Sequence, residues 1–170
     1  MPIGNQFWRR AAVLAVVVIM GCGGAGGGAG LKDVRSQLAV GNANGALLTL
    51  KSVLQSDESN AEARYLLGRT LVELGSANLA LVEFRKAQQL KYNAEELTPA
   101  LVQALLASGK DKTITDEFGA TTLSDPEAQA TLKSAVAMAH FRQKDVGRAE
   151  AALADALKVK PQFAPAKLVM

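Results

Sequence analysis

The sequence predicts an all-α chain of stacked helix-turn-helix units behind a short apolar leader and a glycine-rich tether. Three observations carry this. Alanine and leucine dominate from Leu31 onward and aromatic residues make up only 5% of the chain, a composition that favours helices over strands. Sliding the sequence along itself by 34 positions superimposes Gly41, Gly75 and Gly109, and also Ala46 on Ala80. A fixed period of that size marks supersecondary units stacked in a row. Ahead of the repeats, Arg9 and Arg10 precede ten uncharged apolar residues, Ala11 to Met20, which is the layout of an export signal.

Composition also bounds function. The chain has 170 residues, 49% hydrophobic and 21% charged, enough to bury a core. Lysine and arginine number 19 against 16 acids, and Arg9 and Arg10 account for two of the bases, so the remainder is nearly balanced. Charge gives no case for nucleic acid as a partner. The single cysteine cannot form an internal disulfide.

Residues 1–21 read as a signal peptide. The apolar run is too short for a permanent span, which needs about 20 apolar residues. It ends in Ile19-Met20-Gly21-Cys22, which resembles the bacterial lipobox, where an aliphatic and a small residue precede a cysteine that is lipidated and becomes the mature N-terminus. The resemblance implies a diacylglyceryl thioether at Cys22, and the two or three acyl chains that follow give an anchoring that a single chain does not. Gly23 rather than aspartate follows; by the same resemblance this favours the outer membrane of a Gram-negative cell, with the repeats in the periplasm. The glycines of residues 22–30 lack the Lys-Ser/Thr pair of a phosphate loop and are expected to form a flexible tether.

Residues 31–170 divide into units of roughly 31–59, 60–93, 94–127 and 128–162, followed by a truncated fifth helix from Phe163 to Met170. That ending reads as part of a longer array without its C-terminal cap. The best copy is "NAEARYLLGRTLVELGSANLALVEFRKAQQLKYN", residues 60–93. Its Leu67-Gly68, Leu71, Ala80-x3-Phe84 and Ala87 resemble the tetratricopeptide pattern. Arg64 stands for the usual Trp, Leu71 for the usual Tyr, and Tyr92 lies near the missing closing proline. Gly68 and Ala80 are small where two antiparallel helices cross, and Leu67, Leu71, Leu81 and Phe84 form apolar stripes at helical spacing. Gly75-Ser76-Ala77-Asn78 makes the turn. In the third unit Ile114 and Phe118 take the Ala and Phe positions, so its second helix is expected to be short or loosely packed. In the fourth, Ala149-x3-Leu153 and Ala156 take the packing places.

Catalytic signals are weak. His140 is the only histidine, and Gln143 and Lys144 stand where a second metal ligand would be on its helix. The acid pairs Asp57-Glu58, Glu95-Glu96 and Asp116-Glu117 lie in turns or at helix ends, where acids complement the helix dipole. The sequence therefore predicts no catalytic residues, no metal, no cofactor and no enzyme activity.

Binding is the expected role. In tetratricopeptide arrays the first helix of each pair lines the concave surface, and the resemblance places Arg35, Leu38, Tyr65, Arg69, Val72, Gln103, Leu106, Met138 and Phe141 facing a protein or peptide partner. Arginine and tyrosine would grip a carboxylate or backbone, and the apolar residues would add contact area. The lipobox, the tether, "VGNANGALLTLKSVLQSDESNAEARYLLGRTLVELGSANLALVEFRKA" and the divergent "ELTPALVQALLASGK" together resemble the tetratricopeptide lipoproteins of PEP-CTERM/exosortase sorting and exopolysaccharide production. That resemblance implies a membrane-tethered scaffold in an envelope export or sorting pathway. An assembly factor for outer-membrane proteins, pili or secretion complexes is the alternative, and a saccharide-binding repeat ranks third because Tyr65 and Tyr92 are nearly its only stacking platforms.

Overall fold

Helix-turn-helix pairs follow one another through a computed structural model that describes residues 27–163. They are α1 (Gly27–Ala39) with α2 (Ala43–Ser56), α3 (Ala61–Glu73) with α4 (Ala77–Gln89), α5 (Ala94–Ala107) with α6 (Asp111–Phe118), and α7 (Pro126–Arg142) with α8 (Val146–Val159). No strand occurs among the described residues. Residues 1–26, which hold the expected leader, Cys22 and most of the expected tether, lie outside them, as does the expected fifth helix beyond Phe163. Gly27–Gly30, the last residues of the expected tether, form the first turn of α1. Helix continues through these glycines because Gly30 lies against α2, where a Cβ would come within 2.8 Å of Val53 Cγ2.

The period of the sequence is a period of turns. Gly41, Gly75 and Gly109 close the first helix of three successive pairs with φ of +75°, +73° and +66°. In this left-handed conformation the chain reverses direction while satisfying the helix end: the amides of Asn42, Ser76 and Lys110 donate to the carbonyls of Gln37, Leu71 and Leu105 at 2.8, 2.8 and 2.9 Å. In the fourth pair Lys144 holds the same place at φ +65°, and Asp145 donates to His140 O at 3.0 Å. Helix starts are marked by short polar side chains. Asn42, Asn60, Asn93, Asp125 and Asp145 each accept a backbone N–H from the first turn that follows.

A main core runs from α1 to α7, with Leu50, Leu66, Phe84, Leu101, Ile114 and Leu132 essentially inaccessible, and a second cluster of Ala130, Ala137, Leu153, Ala156 and Phe163 holds the last pair. Phe84 sits on Gly68, Ala80 is fully buried, Leu67 is nearly so, and Ala149 packs in the last pair. Arg64, at the usual Trp position, extends across the pair to Glu83 at 2.8 Å and donates to Glu58 O, so a salt bridge occupies the place of a ring.

The stack curves. Each first helix packs on the next, α1 on α3, α3 on α5 and α5 on α7, whereas the backbones of successive second helices stand apart, α4 reaching α6 through the Arg85 side chain, which meets Glu117 at 2.6 Å. The first helices therefore form an inner rail and the second helices a splayed outer rail. Here α6, only eight residues long, is buried through Ile114 and Phe118 and packs more closely on α7 than on its own partner α5. Such a short helix lets α7 close onto α5, and Arg142 fastens the two by donating to Leu106 O at 2.9 Å.

Candidate functional site

The inner rail presents two neighbouring recesses. A cleft of about 400 Å³ opens between α5 and α7, lined by Gln103, Leu106, Glu127, Thr131, Ser134, Ala135 and Met138, with Phe163 from beyond α8. A smaller one of about 170 Å³ lies between α3 and α5, lined by Arg69, Val72, Glu73, Ala100 and Gln103. Gln103 lines both, so the two recesses lie side by side. Five of the nine residues expected to face a partner thus share a surface: Arg69, Val72, Gln103, Leu106 and Met138.

The other four lie elsewhere. Tyr65 is corrected from a groove residue to a core residue, only 7% exposed. Its ring stacks on Tyr92 with centroids 4.6 Å apart and tilts against Phe84 at 6.1 Å. Helical spacing could not separate groove from core here, because Tyr92 arrives from the loop after α4 and covers the ring. Phe141 is exposed on the far side of α7, where it lines an apolar surface with Val146, Leu153 and Leu157 of α8. Arg35 is exposed and committed to Glu62 of α3 at 2.7 Å, which holds its guanidinium above its ordinary pKa. Leu38 is half-buried against the core.

Polar chemistry in the groove is sparse and specific. Arg69 is exposed and has no carboxylate partner among the described residues. Beside it, burial pushes the Tyr65 hydroxyl above the usual tyrosine range, and Arg69 pulls it back. Burial and the hydrogen bond to Glu96 Oε2, 2.8 Å away, push Tyr92 up as well. In the α5–α7 cleft, Ser134 is 9% exposed and its Oγ is buried without a hydrogen-bond partner. An unmet hydroxyl in a mostly apolar recess is a site that sequence reasoning passed over; it became visible only once α7 had closed on α5.

Groups weighed for chemistry have structural duties. His140 Nδ1 is 4.0 Å from Asp145, the residue that caps α8. Glu95 accepts the backbone N–H groups of Ser124 and Asp125 at 2.8 and 3.1 Å and so fixes the entry to α7. Asp116 pairs with Lys112 and Glu117 with Arg85. The described residues hold no cluster of three or more His, Cys, Asp or Glu side chains able to bind a metal, and none of their helices is long and apolar enough to cross a membrane.

Comparison with solved structures agrees with the repeat geometry. MamA from Desulfovibrio magneticus RS-1 superimposes with a TM-score of 0.68 at 20% identity, over 81% of this chain and 77% of that one. A second MamA structure gives 0.67, also at 20% identity, over 78% and 77%. YrrB, described as a TPR protein with an unusual peptide-binding site, gives 0.53 at 16% identity over 82% and 89%. The fold is a tetratricopeptide-type helical solenoid. No family model matches the chain, and no curated protein matches it.

Proposed function

We propose that the protein is a non-catalytic binding scaffold whose inner groove takes an extended segment of a protein partner. The observation that carries this is a pair of recesses side by side along the inner rail, between α3 and α5 and between α5 and α7, with Gln103 lining both. Apolar side chains of the segment would fill the cleft beside Leu106 and Met138. Its backbone would meet Gln103 and Ser134, and an acidic side chain or terminus would pair with Arg69. The peptide-binding site described for YrrB supports this reading by likeness of fold.

The same proposal places the scaffold on a membrane through lipid at Cys22, in an envelope sorting or exopolysaccharide-linked export pathway. Its support is the Ile19-Met20-Gly21-Cys22 sequence and the glycines after it. Mass spectrometry of the N-terminal peptide, beside a Cys22→Ser control, tests the anchor: an acylated peptide starting at Cys22 supports it, and an unmodified intact N-terminus rejects it.

Site-specific photo-cross-linking in cells tests the groove. A cross-linker at Gln103 is expected to capture a defined partner and one at Leu48, exposed on the outer rail, to capture none of it. Met138→Glu with Arg69→Ala should abolish the Gln103 product while leaving helix content intact. Capture that is equal from both positions, or indifferent to the double substitution, would reject the groove. Tyr65 is unsuitable for this test because its truncation would open the core.

A further inference from the structure

The outer rail holds a feature that the groove does not explain. The eight-residue α6 leaves a wedge of about 660 Å³ between α4 and α6. Its floor is apolar, formed by Leu81, Val82 and Leu105, and its lining carries Arg85, Lys86 and Lys110 with no acidic residue. Two of these cations have carboxylates outside the lining: Arg85 meets Glu117 at 2.6 Å, and Lys86 meets Glu83 at 2.9 Å. Glu83 is shared, since Arg64 also binds it at 2.8 Å. Lys110 is exposed and has no carboxylate partner among the described residues. One carboxylate between two cations, and one cation with none, leave the wedge with an excess of positive charge over an apolar floor.

Val82 is half exposed on that floor, and Leu79 is exposed one turn away. Water facing these side chains is released only by something that fits the recess. A flat bilayer surface cannot descend between two helices to Leu81 and Leu105; a chain segment carrying both acids and leucines can. Asn78 and Gln89 on the same walls offer amides to its backbone.

We propose that the wedge between α4 and α6 is a second docking surface, on the outer rail, for an acidic, leucine-bearing segment of a partner protein. It is separate from the inner groove, so the scaffold can hold two chains at once. The basic face of α4 is left uncovered beside the eight-residue α6.

The test uses the full chain in a neutral detergent and a short fluorescein-labelled peptide of glutamate and leucine, with its lysine–leucine counterpart as control. The acidic peptide should bind by fluorescence anisotropy, weaken with added salt, and protect the amides of α4 and α6 in hydrogen exchange. Lys110→Glu, a surface reversal that leaves helix content unchanged, should weaken it about tenfold. Val82→Asp should do likewise, and Met138→Glu in the inner groove should leave it unaltered. Absence of binding overturns the proposal. So does protection confined to α5 and α7, equal binding of the basic peptide, or Lys110-dependent binding to phosphatidylglycerol vesicles without binding to the peptide. A parent chain that gives no specific Gln103 cross-link while this peptide interaction is intact would reject the inner groove and leave the wedge standing.

Discussion

Gly68→Ala is the most direct test of how the pairs are held together. A Cβ built on Gly68 lies 2.5 Å from both Cδ1 and Cε1 of Phe84 and 3.0 Å from Cζ, inside the closest approach that carbon atoms tolerate. Phe84 is fully buried and its ring is bounded by Tyr65, so it cannot swing into solvent. The helices must therefore separate or the ring must leave its rotamer. Taken alone, alanine in a helix interior is better than glycine by about 1 kcal/mol. Overpacking of a filled core costs roughly 1–3 kcal/mol. With the contact involving two ring atoms at once, the upper part of that range applies, for a net loss of about 1–2 kcal/mol. Urea denaturation followed by circular dichroism reads it as a lower midpoint. Phe84→Leu removes the obstructing ring edge at the expense of a cavity, so in the double variant the alanine should cost little and the two changes should be non-additive by about 1 kcal/mol. Gly68→Ala as stable as the parent, or strict additivity in the cycle, would refute the crossing.

Three other outcomes follow from the same geometry. Lys144→Gly should raise the thermal midpoint by an equivalent of about 1 kcal/mol, since φ there is +65° and a side chain in this region is strained, whereas Gly75→Ala should lower stability by a similar amount. Glu83→Gln should cost about 1–3 kcal/mol because it leaves Arg64 and Lys86 without their shared carboxylate in a partly buried site, and Glu117→Gln, at an exposed pair, no more than about 1 kcal/mol. Tyr65 and Tyr92 are both held protonated by the fold, so their contribution is complete below pH 10.0, the ordinary tyrosine value, and is lost as pH rises above it. The unfolded chain then releases protons that the folded chain retains. Alkaline titration should show tyrosinate absorbance appearing together with loss of helix, and Tyr65→Phe with Tyr92→Phe should flatten the stability profile; tyrosinate forming in a fully helical protein would contradict the burial.

The helical class, the turn positions and much of the packing set were legible in the order of residues alone. These are local properties: a glycine repeated every 34 residues supplies left-handed turns, asparagine or aspartate supplies most of the caps, and small residues at Gly68 and Ala80 admit a close crossing. Arg69, Val72, Gln103, Leu106 and Met138 were legible as one surface because successive first helices share a rail. Tertiary structure decided the rest. Tyr65 and Arg69 lie one turn apart on the same helix, yet Tyr65 is core and Arg69 is groove, because Tyr92 from a different segment covers the ring. Phe141 has the helical phase of a groove residue, but the packing of α7 against α8 turns it outward. The eight residues of α6 were foreseeable as a short helix, but not that α7 would pack on α5 beside it with the Ser134 hydroxyl buried between them, nor that a wedge would lie between α4 and α6. Periodicity fixes which way a side chain points from its own helix; what waits there depends on neighbours distant in sequence, and only their packing decides whether that side chain meets core, solvent or a partner.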